Sequence, residues 1–214
     1  MLVFVLFLLF SFLIGSIPTG LLIARAKGVD LRSVGSGNIG TTNVLRAVGK
    51  KAALLTLLGD MAKGALPLII YKALYGLGYQ VGDSGISALP VSDRHVAVQG
   101  LLGISSIAGH DFSLLLKGRG GKGVATSLGV LVILSPYVAL FSALLWISTA
   151  KLTRYSSLSA LVAFGLLPLS FFMIDYSSEK VFIACVMALL IFIKHRDNIR
   201  RLLNGTENKI GQKA

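Results

Sequence analysis

The chain has 214 residues, 54% of them hydrophobic and only 14% charged, with a formal net charge of +12 and a mean hydropathy of +0.79. A soluble domain carries about 25% charged residues, so the composition excludes an ordinary soluble fold and predicts an all-α polytopic integral membrane protein, one domain over 1–214. The positive residues fall in short runs between apolar segments and form no broad basic face, which fits membrane topology and an anionic substrate rather than nucleic acid.

Residues 2–24 form the first apolar segment, long enough to span a bilayer. It has no charge before Arg25 and so lacks the basic start of a signal peptide. Pro18 and the Gly15-Ser16 pair predict a bend in it. Arg25, Lys27 and Arg32 follow, which puts the N-terminus outside and this loop in the cytoplasm. The loop carries Gly35-Ser36-Gly37-Asn38-Ile39-Gly40-Thr41-Thr42-Asn43-Val44-Leu45-Arg46. Its glycines permit turns closed to other residues, and consecutive N–H groups in such turns converge on anions. Ser36, Asn38, Thr41, Thr42 and Asn43 add uncharged donors, and Arg46 adds a fork suited to phosphate.

Residues 52–75 form the second span, with Asp60 and Lys63 on one helix face as either an internal ion pair or part of a site. Residues 76–94 read as an outer loop. The third span, 95–116, is rich in small residues (Gly100, Gly103, Ser105, Ser106, Ala108, Gly109) suited to close helix packing, with His110 near its cytoplasmic end. Gly118-Arg-Gly-Gly-Lys-Gly123 then leads into a helix at about Val124, and reads as a phosphate cradle or as a basic hinge. It departs from a Walker loop at Leu116 and Gly123.

Ser135-Pro136 divides 124–150 into two helices of some 12 to 15 residues, arranged as a short hairpin or a re-entrant pair. After Lys151 and Arg154, Ser156, Ser157 and Ser159 start the outward span 156–174 as caps or anion donors. Asp175 to Glu179 make an acidic outer turn. Residues 181–193 return, with the single cysteine, Cys185, inside this apolar run, which excludes an internal disulfide and a thiolate cluster. With three histidines and no carboxylate cluster, no dedicated transition-metal site is expected. The count is about seven transmembrane helices, N-terminus outside and C-terminus cytoplasmic.

Four polar constellations, 35–46, 117–123, 154–159 and 194–207, thus share one membrane face, and His195 with Asn198 lies in the last. The chain has no GxSxG elbow, no HxxxxD dyad and no carboxylate pair placed for acid–base work. Such a site would act by binding, orientation and charge stabilisation.

Together, GSGNIGTTNVLR, GH ahead of KGxGGKGVAT, RYxSL and HRxNIxRLLxGxE resemble the bacterial acyl-phosphate:glycerol-3-phosphate acyltransferase family. The resemblance implies transfer of an acyl group from acyl phosphate to the 1-hydroxyl of glycerol 3-phosphate, giving lysophosphatidate and phosphate, the first acylation of phospholipid synthesis. It implies an enzyme of the bacterial inner membrane that faces the cytoplasm, works beside membrane lipid and has no cofactor. Carried over by motif, Ser36, Arg46, Lys122, His195 and Asn198 are the expected catalytic residues. Gly35, Gly37, Asn38, Thr42, Asn43, Lys63, His110, Gly120, Gly121, Gly123, Ser157 and Ser159 are the expected substrate-binding residues, and Glu207 matches a structural position.

Three residues depart from the family pattern. Ser113 replaces a proline, which predicts a looser entry to the second loop; Arg119 replaces a lysine; Ala160 replaces a serine whose phosphate contact would pass to Ser157 or Ser159. The competing functions are an organic-phosphate transporter, which would put polar groups at mid-membrane and on both faces, and a protein that only binds an anionic lipid head group.

Overall fold

The computed structural model describes residues 1–79, 81 and 90–211, without the side chains of Val91 and Ser92. Within them the chain forms α1 Leu2–Gly15, α2 Thr19–Arg25, α3 Thr41–Ala47, α4 Lys50–Gly76, α5 Val91–Asp111, α6 Val124–Leu134, α7 Pro136–Thr153, α8 Ser156–Gly165, α9 Leu167–Ile174, α10 Ser178–Lys194 and α11 Arg196–Leu203. A 3-10 turn covers Leu114–Leu116, and no strand is present among the described residues. The expected outer loop 76–94 falls largely outside them.

The outward faces of these helices are apolar. Leu9, Leu58, Leu144, Phe172, Phe182 and Leu189 are each more than half exposed, a pattern suited to lipid and costly in water. By length and composition, Leu2–Arg25 and Lys50–Gly76 can each cross a membrane, and α8 with α9, bent by 43°, makes a third candidate.

Small residues let the helices close on one another. A Cβ on Gly15 of α1 would stand 2.1 Å from the Ser106 carbonyl oxygen of α5, and one on Gly109 of α5 would stand 2.1 Å from that of Phe12 of α1. Gly64 of α4 and Gly129 of α6 make the same reciprocal approach, to the carbonyls of Thr126 and Met61. With backbones this near, packing across each pair is direct, as membrane helix association requires.

The bend expected in the first segment falls between α1 and α2, at Ser16-Ile17-Pro18. A broken helix frees carbonyls that must be satisfied within the protein. Lys63 Nζ donates to the Ile17 carbonyl at 2.9 Å, and Ser113 Oγ donates to the Ser16 carbonyl at 2.6 Å. Lys63 also pairs with Asp60 at 2.8 Å, and Asp60 accepts from Thr19 at the start of α2. The Asp60–Lys63 pair therefore staples the break. Ser113 is buried and tied, so the entry to the second loop is not loosened: the serine hydroxyl holds a carbonyl that proline could not reach.

The break at Ser135-Pro136 is present, but its halves are unequal, 11 residues in α6 and 18 in α7. α7 runs on to Thr153 and stops where Arg154 turns left-handed, at φ 62°. The third span starts at Val91 and its helix ends at Asp111, earlier than expected at both ends. The tail beyond α10 holds a further short helix, α11.

Candidate active site

The first polar loop is anchored by a small core that it shares with α2 and α4. Leu31, Ile39 and Val44 bury against Leu21, Ala24, Ala52 and Ala53. Gly35 and Gly37 turn the chain at φ 62° and 64°, a region glycine enters without a Cβ clash. Asn43 is buried and its amide is used internally: Nδ2 donates to the carbonyls of Asn38 (2.8 Å), Val34 (3.1 Å) and Leu31 (3.2 Å), and Oδ1 accepts the Ser36 N–H at 3.0 Å. Asn43 thus shapes the loop, leaving Ser36, Asn38, Thr41, Thr42 and Arg46 to the wall of a cavity. Thr42 bonds Ser156 of α8 at 2.9 Å across it.

The second loop is laid on His110. The Gly121 N–H donates to the His110 carbonyl at 2.9 Å. A Cβ on Gly120 would stand 1.9 Å from that carbonyl oxygen, and one on Gly121 2.0 Å from His110 Nε2. These two glycines are therefore required by close packing, and the loop delivers Lys122 to the cavity.

The third cluster is organised by Glu207. Its carboxylate accepts from Asn198 Nδ2 (2.6 Å), Ser157 Oγ (2.7 Å) and Arg201 Nε (2.7 Å). Asn198 is thereby oriented with Oδ1 toward Lys122, whose Nζ donates to it at 2.5 Å. Burial pushes the Glu207 carboxyl up, but its three donors outweigh burial and hold it below the ordinary range. Burial pushes the Lys122 ammonium down to about 8, with the Glu207 charge as partial counterweight. His195 caps α10, and its Nδ1 must donate to the Ile191 carbonyl at 2.8 Å, because a carbonyl only accepts. Burial, reinforced by the Lys122 charge, lowers this imidazole to about 4. It is therefore neutral at pH 7, with Nε2 as the bare nitrogen.

These pieces meet around one cavity of about 330 Å³. Its wall combines polar side chains, among them Ser36, Asn38, Arg46, Lys122, His195 and Asn198, with apolar ones, among them Leu57, Leu128, Ala143, Trp146, Ile147 and Phe164. All five expected catalytic residues line it, as do Asn38, Thr42, Asn43, His110, Gly123 and Ser157.

Gly35, Gly37, Lys63, Gly120, Gly121 and Ser159 are not on its wall. The glycines turn or pack the backbone, Lys63 serves the helix break, and Ser159 is buried with its hydroxyl on the Tyr155 carbonyl at 2.7 Å. Of the two serines near Ala160, only Ser157 is thus on the wall. Arg119 is exposed, and its carbonyl accepts from Arg32.

Ser142, Trp146, Arg201 and Asn208 also line the wall, and none of them is among the residues expected from the sequence. For Trp146 the signal was weak, because an aromatic residue in an apolar helix looks like any lipid-facing one. Among the described residues no group of three or more His, Cys, Asp and Glu side chains is placed to hold a metal ion.

Fold and site together define a membrane-embedded helical protein with one cavity lined by cationic, amide and hydroxyl side chains and by apolar ones. The model of the glycerol-3-phosphate acyltransferase family matches residues 5–205, and the chain belongs to that family. The glycerol-3-phosphate acyltransferase of Sinorhizobium fredii is 43% identical over 208 residues, covering 97% of this chain and 92% of that protein. That of Rubrobacter xylanophilus is 41% identical over 210 residues, covering 98% and 96%. Crystal structures of PlsY, an integral membrane glycerol 3-phosphate acyltransferase, match closely. The glycerol 3-phosphate form gives a TM-score of 0.83 at 38% identity and covers 97% of this chain and 96% of that one. The lysophosphatidic acid form gives 0.81 at 37% identity and covers 97% and 95%. The protein is an acyltransferase, and a membrane protein, of this family.

Proposed function

We propose that the protein transfers an acyl group from acyl phosphate to the 1-hydroxyl of glycerol 3-phosphate, releasing phosphate. The carrying observation is the convergence of Arg46, Lys122, His195 and Asn198, from three separate segments, on one cavity whose wall is part polar and part apolar. Two phosphate-bearing substrates suit its polar side chains, and an acyl chain suits its apolar ones.

An acyl phosphate is a mixed anhydride, already activated, so the site needs no nucleophilic side chain. Lys122 and Arg46 neutralise phosphate and the charge that grows on the leaving group. Ser36, Asn38 and Thr42 orient it, while Asn198 fixes Lys122. His195, neutral and bare at Nε2, accepts a hydrogen bond from the neighbouring 2-hydroxyl of glycerol 3-phosphate and so aims the attacking 1-hydroxyl oxygen at the acyl carbon, leaving its proton free to face phosphate. A conjugate acid near pH 4 makes His195 a weak base, so the proton passes to a substrate phosphate oxygen. The hydroxyl oxygen bonds the acyl carbon, the anhydride C–O bond breaks, and inorganic phosphate leaves.

The proposed topology has seven crossings, N-terminus outside, with the cavity mouth toward the cytoplasm of a bacterial inner membrane. The loop charges support it: Arg25, Lys27, Lys50, Lys51, Lys151 and Arg154 on one side, Asp175 and Glu179 on the other.

The test is an assay of purified protein in lipid with glycerol 3-phosphate and, in turn, acyl phosphate, acyl-CoA and acyl-carrier protein. Lysophosphatidate and phosphate are expected with acyl phosphate; turnover only with the thioesters would overturn the donor.

A further inference from the structure

Residues 204–211 leave α11 and run past the cavity to Arg154 at the foot of α8, with Glu207 and Asn208 on the cavity wall. Three tethers hold this strap. Glu207 is gripped by Ser157, Asn198 and Arg201. The Ile210 N–H donates to the Arg154 carbonyl at 2.6 Å, while Arg154 Nη2 donates back to the Ile210 carbonyl at 3.1 Å. The third tether is Arg46, whose Nη2 donates to the carbonyls of Asn208 at 3.1 Å and Lys209 at 3.2 Å. Arg46 Nε is buried and meets no acceptor among the described residues.

A guanidinium grips an anion by either of two edges, Nε with Nη2 or Nη1 with Nη2. Both edges use Nη2. With Nη2 committed to two main-chain carbonyls, neither edge offers phosphate a free pair of donors. A bidentate bond to phosphate joins opposite charges in matching geometry, whereas the carbonyls of Asn208 and Lys209 are neutral, so the exchange runs toward phosphate.

We propose that the strap is the positioning element of Arg46 and a clasp that substrate phosphate releases. The carbonyls of Asn208 and Lys209 hold the guanidinium in place. An arriving phosphate takes Nη2 and one neighbouring N–H, and the strap gives up those carbonyl contacts and loosens toward Arg154. The proposal deepens the reading of Arg46 as a phosphate ligand and rests on it.

The test is hydrogen exchange, read by mass spectrometry on the full chain in lipid nanodiscs, over residues 208–211. The ligands are glycerol 3-phosphate, a non-transferable acyl phosphonate, and glycerol as control, with binding measured on the same samples by calorimetry. Exchange should quicken with at least one phosphate or phosphonate ligand and not with glycerol, and the ligand that quickens it is the one Arg46 receives. Unchanged or slower exchange under a ligand shown to bind overturns the clasp and leaves the acyltransferase reading intact. Failure of both anionic ligands to bind overturns that reading, and the clasp with it.

Ile210→Pro supplies a second measurement, since it removes the N–H given to Arg154 and leaves the carbonyls of 208 and 209. KM for the releasing substrate should fall by about 2- to 10-fold, the worth of one hydrogen bond, with kcat unchanged. A raised KM would mean a fixed scaffold and overturn release.

Discussion

Asn198 takes a hydrogen bond from Lys122 at 2.5 Å on one side of its amide and gives one to Glu207 at 2.6 Å on the other. An amide bound this way cannot flip without losing both partners, so Glu207 sets where the Lys122 ammonium stands. It also favours the charged form of that ammonium. Burial pulls Lys122 down to about 8, and the Glu207 carboxylate pulls the other way. If Lys122 acts as a cation, activity falls as pH rises through about 8. Glu207→Gln removes the counterweight, so the fall should move to lower pH. A pH profile of kcat/KM with acyl phosphate, on protein shown to be monodisperse, tests this; an unmoved alkaline limb would count against it.

Arg46→Ala and Lys122→Ala should each cost about 10²- to 10³-fold in kcat, the usual worth of a group that stabilises developing charge, while the protein still inserts. Arg46→Lys should not rescue, because a single ammonium cannot reproduce a two-pronged grip. Normal turnover by any of the three would remove that residue from the assignment.

The two glycines laid on His110 separate backbone from side-chain crowding. A methyl at Gly120 meets the His110 carbonyl oxygen at 1.9 Å, and one at Gly121 meets the imidazole Nε2 at 2.0 Å. Gly121→Ala should therefore recover part of its activity when combined with His110→Ala, and Gly120→Ala should not. Kinetics of the four variants, with His110→Ala alone as reference, decide it. Equal recovery by both double variants would mean that the loop reaches Lys122 by another route.

Arg46, Lys122, His195 and Asn198 were legible in the sequence because a chain this apolar has little use for such groups unless they meet. The bend near Pro18 and the break at Pro136 were legible because proline removes a ladder bond wherever it falls. The inward-facing residues were not. Asn43 has the side chain of a ligand, and only the fold turns its amide onto Leu31, Val34 and Asn38. Gly120 and Gly121 read as a phosphate loop, yet the space a Cβ would fill belongs to His110. Lys63 read as an ion pair or a site residue, and its second partner, the Ile17 carbonyl, exists only once the first span is broken. Residue type reports chemistry; direction comes from packing.

Trp146 is the bulkiest apolar residue on the cavity wall. It lines the cavity beside Ser142, one turn away on α7, and Ile147 is both on the wall and 44% exposed. A 330 Å³ cavity, near the lower bound of ordinary ligand sites, is small for two head groups and a long chain together, so if the chain binds beside Trp146 its distal part must lie outside the cavity. Trp146→Ala should then weaken selection among acyl chains more than it slows the preferred one. Pocket contacts discriminate by roughly 10- to 200-fold for a single methylene, so a change of that order is readable. Competition between saturated acyl phosphates of different length, with lysophosphatidate products counted by mass spectrometry, is the measurement. An unchanged length profile with intact kcat would place the chain elsewhere.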